Sequence, residues 1–277
     1  MPTEPLDRSV DDHYGGGDLA AKILEALRAA GKDPDTLTVQ DLAPIDQLHV
    51  RGKRATLEIA RLAGITPGMR VLDVGGGLGG PARTLASEFG CAVEVLDLTD
   101  EFCLAGAALT VRTGLEDLVS FRHGSALEIP YPDTVFDVAW AQHSSMNIAG
   151  KERLYAEIRR VLKPGGRLAM HEIVAGEVSP IHFPVAWARG PRISFLRTSD
   201  ATRALLKDAG FEELAWIDET ELATRWHQER FAPTPGGPRP PGPHLVFGDG
   251  FGEMLRNQVR NLEERRISIV QAVFERL

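Results

Sequence analysis

Cysteine is scarce: Cys91 and Cys103 are the two in 277 residues, too few for a disulfide framework and in keeping with a reducing compartment. Long apolar runs are missing as well. None approaches the ~20 residues that a membrane span needs. The first seventeen residues are acidic, polar and Gly-rich, without the basic and then apolar regions of a secretory signal. The cytoplasm is therefore the expected setting. Basic residues are outnumbered, 31 Lys and Arg against 39 Asp and Glu for a net charge of −8. No stretch of them forms a stripe, which argues against a nucleic-acid partner. What is present, 43% hydrophobic and 25% charged residues, is the composition of a globular chain long enough to bury a large interior.

Met1 to Gly17 carries no periodicity and reads as a tail. From Asp18 a helix is predicted, with Leu19, Ile23, Leu24 and Leu27 on one face and Gly31 as its end. Pro34 and the polar residues after it read as a linker. A second helix is expected over about 51–63, stopped by Gly64. Strands then alternate with helices. The strands are predicted at 70–74, 92–98, 119–122, 135–141, 167–174, 211–217 and 267–274, and the helices at 81–90, 100–113, 151–162 and 199–210. This alternation predicts an α/β fold, a largely parallel sheet covered on both faces. Two segments break the rhythm. Residues 175–198 hold Phe183, Trp187 and Phe195 among prolines, and 232–243 hold six prolines and three glycines. Loops of that length are expected as lids at the rim of the sheet.

Gly75, Gly77 and Gly80 follow the first of these strands and satisfy G-x-G-x-x-G, with Asp97 ending the next strand. Taken literally, that is the dinucleotide fingerprint, with an acid placed for ribose hydroxyls. Asp73 points elsewhere. A carboxylate two residues before the first glycine repels a pyrophosphate and attracts a cofactor that carries a sulfonium and an ammonium.

With Asp73-x-Gly75-x-Gly77, Asp97, Gly124-Ser125-Ala126-Leu127, Phe136-Asp137 and Arg160-Val161-Leu162-Lys163-Pro164-Gly165-Gly166, the chain resembles the class I S-adenosylmethionine-dependent methyltransferases. Asp46-Gln47-Leu48-His49, Gly79-Gly80-Pro81-Ala82-Arg83, Asp97-Leu98-Thr99, His143 to Ile148 and Phe183 to Ala188 resemble, more narrowly, the sarcosine/dimethylglycine N-methyltransferase group. The resemblance covers about residues 40–277. It implies a doubly wound, Rossmann-like, seven-stranded sheet over 67–277, with lid insertions at about 175–198 and 219–265. Residues 1–66 would form a tail and a helical lid. S-adenosylmethionine is the implied cofactor. Asp73 and the Gly75–Gly77 backbone would hold its methionine part, Asp97 its ribose, and Leu98, Ser125 and Ala126 its adenine, with Gln142 facing the methionine end. Ser125 stands where the family usually has Asp. A nicotinamide-dependent dehydrogenase is the alternative, supported by the glycine pattern and Asp97 alone.

The acceptor is expected to be a small molecule, methylated on nitrogen or oxygen, with carbon methylation of an alkene or enol, such as an isoprenyl diphosphate, as the alternative. Glu172, His143 and His49 are the candidate catalytic residues; each histidine can also be a hydrogen-bonded structural residue. Alternation along the strand sends His171 and Glu172 to opposite faces. Trp187 and Phe195 read either as lid packing or as a pocket wall. Arg189 and Arg192 read either as surface arginines or as an anion clamp, and Asn147 is placed with them at the acceptor. No metal is expected, since His171-Glu172 has no second histidine at position 175. A homo-oligomer is compatible with such a chain.

Overall fold

The computed structural model describes residues 18–230 and 240–277. Its centre is a seven-stranded sheet in the order β3-β2-β1-β4-β5-β7-β6. The strands are β1 (Arg70–Val74), β2 (Ala92–Asp97), β3 (Val119–His123), β4 (Phe136–Gln142), β5 (Leu162–Ala175), β6 (Phe211–Asp218) and β7 (Ile267–Arg276). The first five run parallel, and β7 lies antiparallel to both β5 and β6. The chain folds this way because each central strand is apolar on both faces. Leu72, Val74, Ala139, Ala141 and Met170 pack into one core, while Val71, Val138, Trp140 and Ala169 pack into the other. A strand buried on both sides needs helices on both sides.

Those helices are α1 (Leu19–Ala29), α2 (Val39–Asp46), α3 (Gly52–Leu62), α4 (Gly80–Phe89), α5 (Asp100–Arg112), α6 (Lys151–Val161), α7 (Ser199–Asp208), α8 (Thr220–Arg230), α9 (His244–Phe247) and α10 (Phe251–Glu263). Leu154, Ile158 and Val161 of α6 cover the first core, and Ile59, Ala60, Ala82 and Leu85 of α3 and α4 cover the second. Helix α1 buries Leu19, Ile23 and Leu27, the face its periodicity predicts. Among the described residues, no helix is long and apolar enough to cross a membrane.

Two stretches, one read as a linker and one as a lid insertion, contain helices. The linker after Pro34 contains α2, opened by a capping box in which Thr38 and Asp41 exchange hydrogen bonds. The excursion between β6 and β7 contains α8, α9 and α10. The predicted tail before residue 18 lies outside the described residues, as does most of the Pro-rich segment 232–243. Parallel register brings the carboxyl ends of β1, β2, β4 and β5 to one edge, where Asp73 pairs with Trp140 and Gln142 with His171. The strand order reverses between β1 and β4, and there the crevice opens.

Candidate active site

At the end of β1 the chain turns through three glycines. Gly75 (φ 70°) and Gly77 (φ 56°) adopt the left-handed conformation that glycine tolerates. Crowding closes the argument at Gly76, where a Cβ would stand 2.6 Å from the Asp73 carboxyl. The Gly77 N–H donates to Asp97 Oδ2 at 2.8 Å and the Thr99 N–H to Oδ1 at 2.9 Å, which ties the tip of β2 to the loop. Asp73 Oδ2 has no hydrogen-bond partner among the described residues. Burial, and then the neighbouring charge of Asp97, pushes the Asp73 carboxyl up to about 8. A buried carboxyl in that state awaits a cation. A methyl donor with a sulfonium and an ammonium fits this donor set, and a pyrophosphate does not.

The loop opens into a cavity of about 530 Å³. Its wall near β4 and β5 is a web of neutral polar groups. Gln142 Oε1 accepts from Trp140 Nε1 at 2.9 Å and from Thr56 Oγ1 at 3.1 Å, and Gln142 Nε2 lies 3.4 Å from His171 Nδ1. His49 Nε2 lies 2.9 Å from Gln47 Oε1 and 3.2 Å from Thr56 Oγ1. The rings of His143 and His171 stand 4.8 Å apart, and His49 is 6.1 Å from the former and 5.7 Å from the latter. Burial holds all three imidazoles neutral, His49 down to about 4 and the other two well below the usual histidine range. His171 Nε2 in turn faces Glu219 Oε2 at 3.5 Å. Glu219 is bound to Arg51 at 2.5 Å, and Arg51 also reaches Glu58 at 2.6 Å.

His143 sits at the turn after β4 with φ 50°, an uncommon conformation for a residue with a side chain. The strain is held from below. His143 N–H donates to His171 O at 2.8 Å, and the Ser144 and Ser145 N–H groups both donate to Glu172 Oε1, at 3.3 and 3.2 Å. Lys151 Nζ donates to Ser145 O at 2.6 Å. His143 belongs to the cavity lining, and its Nε2 is buried with no hydrogen-bond partner among the described residues.

The eight expected cofactor residues, Asp73, Gly75, Gly77, Asp97, Leu98, Ser125, Ala126 and Gln142, all line this one cavity, as do His49, His143, Asn147 and Trp187. The other four stand elsewhere. Glu172 is buried on the opposite face of β5 from His171, as strand alternation requires, and is not part of the lining. Its place is under the His143 turn, beside Lys151. Phe195 is half-buried and joins the turn through its backbone, donating to Met146 O at 2.8 Å. No clamp forms from Arg189 and Arg192. Val185, Trp187, Ala188 and Ile193 turn inward and leave both arginines exposed in water, away from the cavity. Asn147 pins this lid by donating from Nδ2 to Trp187 O and Ile193 O, both at 2.7 Å. Sequence reasoning missed the residues that α8–α10 add to the wall: Trp226, His227, Phe247, Phe251, Leu255 and Gln258. Their signal was the helical spacing of Phe251, Met254, Leu255, Gln258 and Leu262.

Comparison with known proteins places the chain in one family. Residues 72–170 match the family described as methyltransferase domain. Methyltransferase GfsG of Streptomyces halstedii is 34% identical, over 79% of this chain and 78% of its own. Sterol 24-C-methyltransferase of Eremothecium gossypii is 38% identical, over 58% of this chain and 44% of that protein. Glycine/sarcosine/dimethylglycine N-methyltransferase of Actinopolyspora halophila is 34% identical, over 48% of this chain and 24% of that one. The chain thus spans less than half the length of these last two relatives. Carbon- and nitrogen-methylating relatives stand side by side, so the narrower resemblance to the sarcosine/dimethylglycine group is not singled out. Among solved structures, geranyl diphosphate C-methyltransferase from Streptomyces coelicolor A3(2) matches over the whole of both chains with a TM-score of 0.72 at 17% identity, a likeness of fold.

Proposed function

The chain belongs to the class I methyltransferases, whose methyl donor is S-adenosylmethionine, and on that premise we propose that it methylates a hydroxyl oxygen of a small molecule, with His143 as the base. The donor, when bound, supplies a methyl group on a sulfonium, open to in-line displacement. In this reading Asp97 accepts from the ribose hydroxyls, Leu98, Ser125 and Ala126 flank the adenine, and Asp73 answers the positive charge from beneath the loop. Gln142, locked by Trp140 and Thr56, shapes the methionine end.

Positioning supplies much of the acceleration in such a transfer, up to roughly 7–11 kcal/mol in favourable cases. A hydroxyl must also lose its proton, and that is the task of a base held neutral at pH 7. The observation that carries the reading is His143: a neutral imidazole in a residue of the cavity lining, with a buried Nε2 that has no partner among the described residues. His49 serves less well, because both of its ring nitrogens already face oxygen atoms of the chain. Carbon methylation is the second reading. It is favoured by the indoles of Trp187 and Trp226 in the lining, whose faces suit a developing carbocation.

The purified chain, given carbon-labelled methyl donor and a metabolite panel, tests both. The carbon shift of the transferred methyl distinguishes a methoxyl from an N-methyl or C-methyl product. His143→Ala is expected to lower turnover by about two to four orders of magnitude, the usual worth of a positioned base, while S-adenosylhomocysteine affinity by calorimetry stays within about twofold. Wild-type turnover in this variant ends the role of His143.

A further inference from the structure

We infer that the acceptor is an uncharged, largely apolar molecule at its reacting end, a hydroxylated hydrocarbon-like skeleton without phosphate, carboxylate or ammonium. The hydroxyl rests on the function proposed above; the exclusion of charge rests on the cavity wall.

Apart from the glycine loop, the tip of β2 and the loop after β3, the wall is supplied mainly by α2 and the segment up to Lys53, the turn after β4, the end of β5, the lid and the β6–β7 excursion. Met146, Ile173, Trp187, Trp226, Phe247 and Phe251 give it its apolar surface. Among the described lining residues, the cationic side chains are Arg51 and Lys53, and both are committed. Arg51 is 2% exposed at its side chain and bound to two carboxylates, Glu58 and Glu219, the first of which also pairs with Arg54, so the charge of Arg51 is already met. Lys53 is bound to Glu88 at 2.7 Å. A diphosphate or carboxylate placed here would have to displace a carboxylate from one of these pairs, since it meets no other Lys or Arg among the described lining residues.

Anionic side chains are accounted for in the same way. Asp46 is bound to Arg83 at 2.8 Å, with both side chains buried. Asp73 and Asp97 belong to the glycine loop and the cofactor. Among the described lining residues, an ammonium acceptor therefore finds no carboxylate of its own. Neutral polar residues such as His143, Gln142, Asn147 and Gln258 make up the rest of the wall beside the acceptor. The likeness of fold to a geranyl diphosphate methyltransferase thus stops short of the head group.

A matched probe series isolates the charge. The full chain, saturated with S-adenosylhomocysteine, is loaded with the neutral dye Nile red. The dye is then displaced by geraniol, by geranylamine, or by geranyl diphosphate with and without Mg²⁺, which share one carbon chain. Geraniol is expected to displace the dye at a concentration at least tenfold below either charged probe. Tighter or equal displacement by the diphosphate or the amine overturns the inference. So does failure of Nile red to bind, or of geraniol to displace it, since the wall is then not an apolar acceptor site. Failure of the function proposed above is read separately. Methyl transfer to a carbon or nitrogen of a neutral acceptor sinks the hydroxyl and leaves the exclusion of charge in place.

Discussion

Glu172 is where residue type and position give different answers. A carboxylate at the end of β5 suits a base, yet its Oε1 accepts from two consecutive amides of the turn that carries His143, and it is absent from the cavity wall. Gln at this position keeps an acceptor oxygen for those amides and cannot take a proton. Glu172→Gln is therefore expected to keep turnover within about tenfold of wild type, since a neutral acceptor replaces a charged one at a cost of about 1 kcal/mol. Glu172→Ala releases the turn and is expected to cost about two orders of magnitude, the effect of misplacing a reacting group by an ångström. Equal losses of two to four orders in both variants, measured at saturating acceptor, would return Glu172 to the role of base. That Asp73, Gly75, Gly77, Asp97 and Leu98 meet in one cavity was legible in the sequence, because they cluster along β1, the glycine loop and the tip of β2, where a motif fixes their spacing. The acceptor half was not. Arg51 and Glu219 are 168 residues apart, and no local pattern couples two such positions. His143 could be nominated from its place after β4, but its neutrality and its unpaired nitrogen come from burial that only the fold provides.

At the scale of elements, sequence patterning located the strands and missed α2 for a physical reason. Pro44 lies inside that helix and its apolar spacing is irregular, so tertiary contacts hold it rather than periodicity. The decisive contact is Asp46 with Arg83. The Arg83 guanidinium donates to Asp46 Oδ2 at 2.8 Å, Leu78 O at 2.6 Å, Thr110 Oγ1 at 2.8 Å and Gly106 O at 3.1 Å. One side chain therefore joins α2, the glycine loop and α5. Gly80 completes the fit, since a Cβ there would stand 2.4 Å from Asp46 O. Arg83→Met strands a buried carboxylate and is expected to cost about 3–5 kcal/mol in urea unfolding. Adding Asp46→Leu should recover much of that loss, because the uncompensated charge is gone. A cost below about 1 kcal/mol for Arg83→Met, or no recovery in the double variant, means that the pair does not secure α2. The β6–β7 excursion shows the opposite lesson. Its helices were readable from spacing once the proline-rich segment was set aside, and reading the whole span as a lid concealed an aromatic wall.

For the whole molecule, the cost of the cofactor site is written into its pH dependence. Asp73 lies beneath the glycine loop with one oxygen unpartnered, and burial together with Asp97 raises its carboxyl from the ordinary 3.8 to about 8. Between these values the folded chain holds a proton that the unfolded chain has released. By linkage, the contribution of this group to stability is complete below pH 3.8, declines as the pH rises, and levels off above about 8. Other buried groups superimpose their own slopes, among them His49 and His227, whose depressed values near 4 act in the opposite sense over the acid part of the range. A difference measurement cancels them. Asp73→Asn keeps the shape without the titration, so its melting temperature relative to wild type, measured without cofactor, should climb steadily from pH 4 to pH 8. The same variant should lose most of the thermal shift that S-adenosylhomocysteine produces in wild type, since a ligand stabilises a fold only in proportion to its binding. The wild-type shift should itself grow with pH over this range, because the ammonium of the ligand favours the ionised carboxylate and draws the proton off. A flat difference curve would mean that Asp73 is already ionised in the empty protein, and its charge would then have to be met by the chain itself rather than by the cofactor.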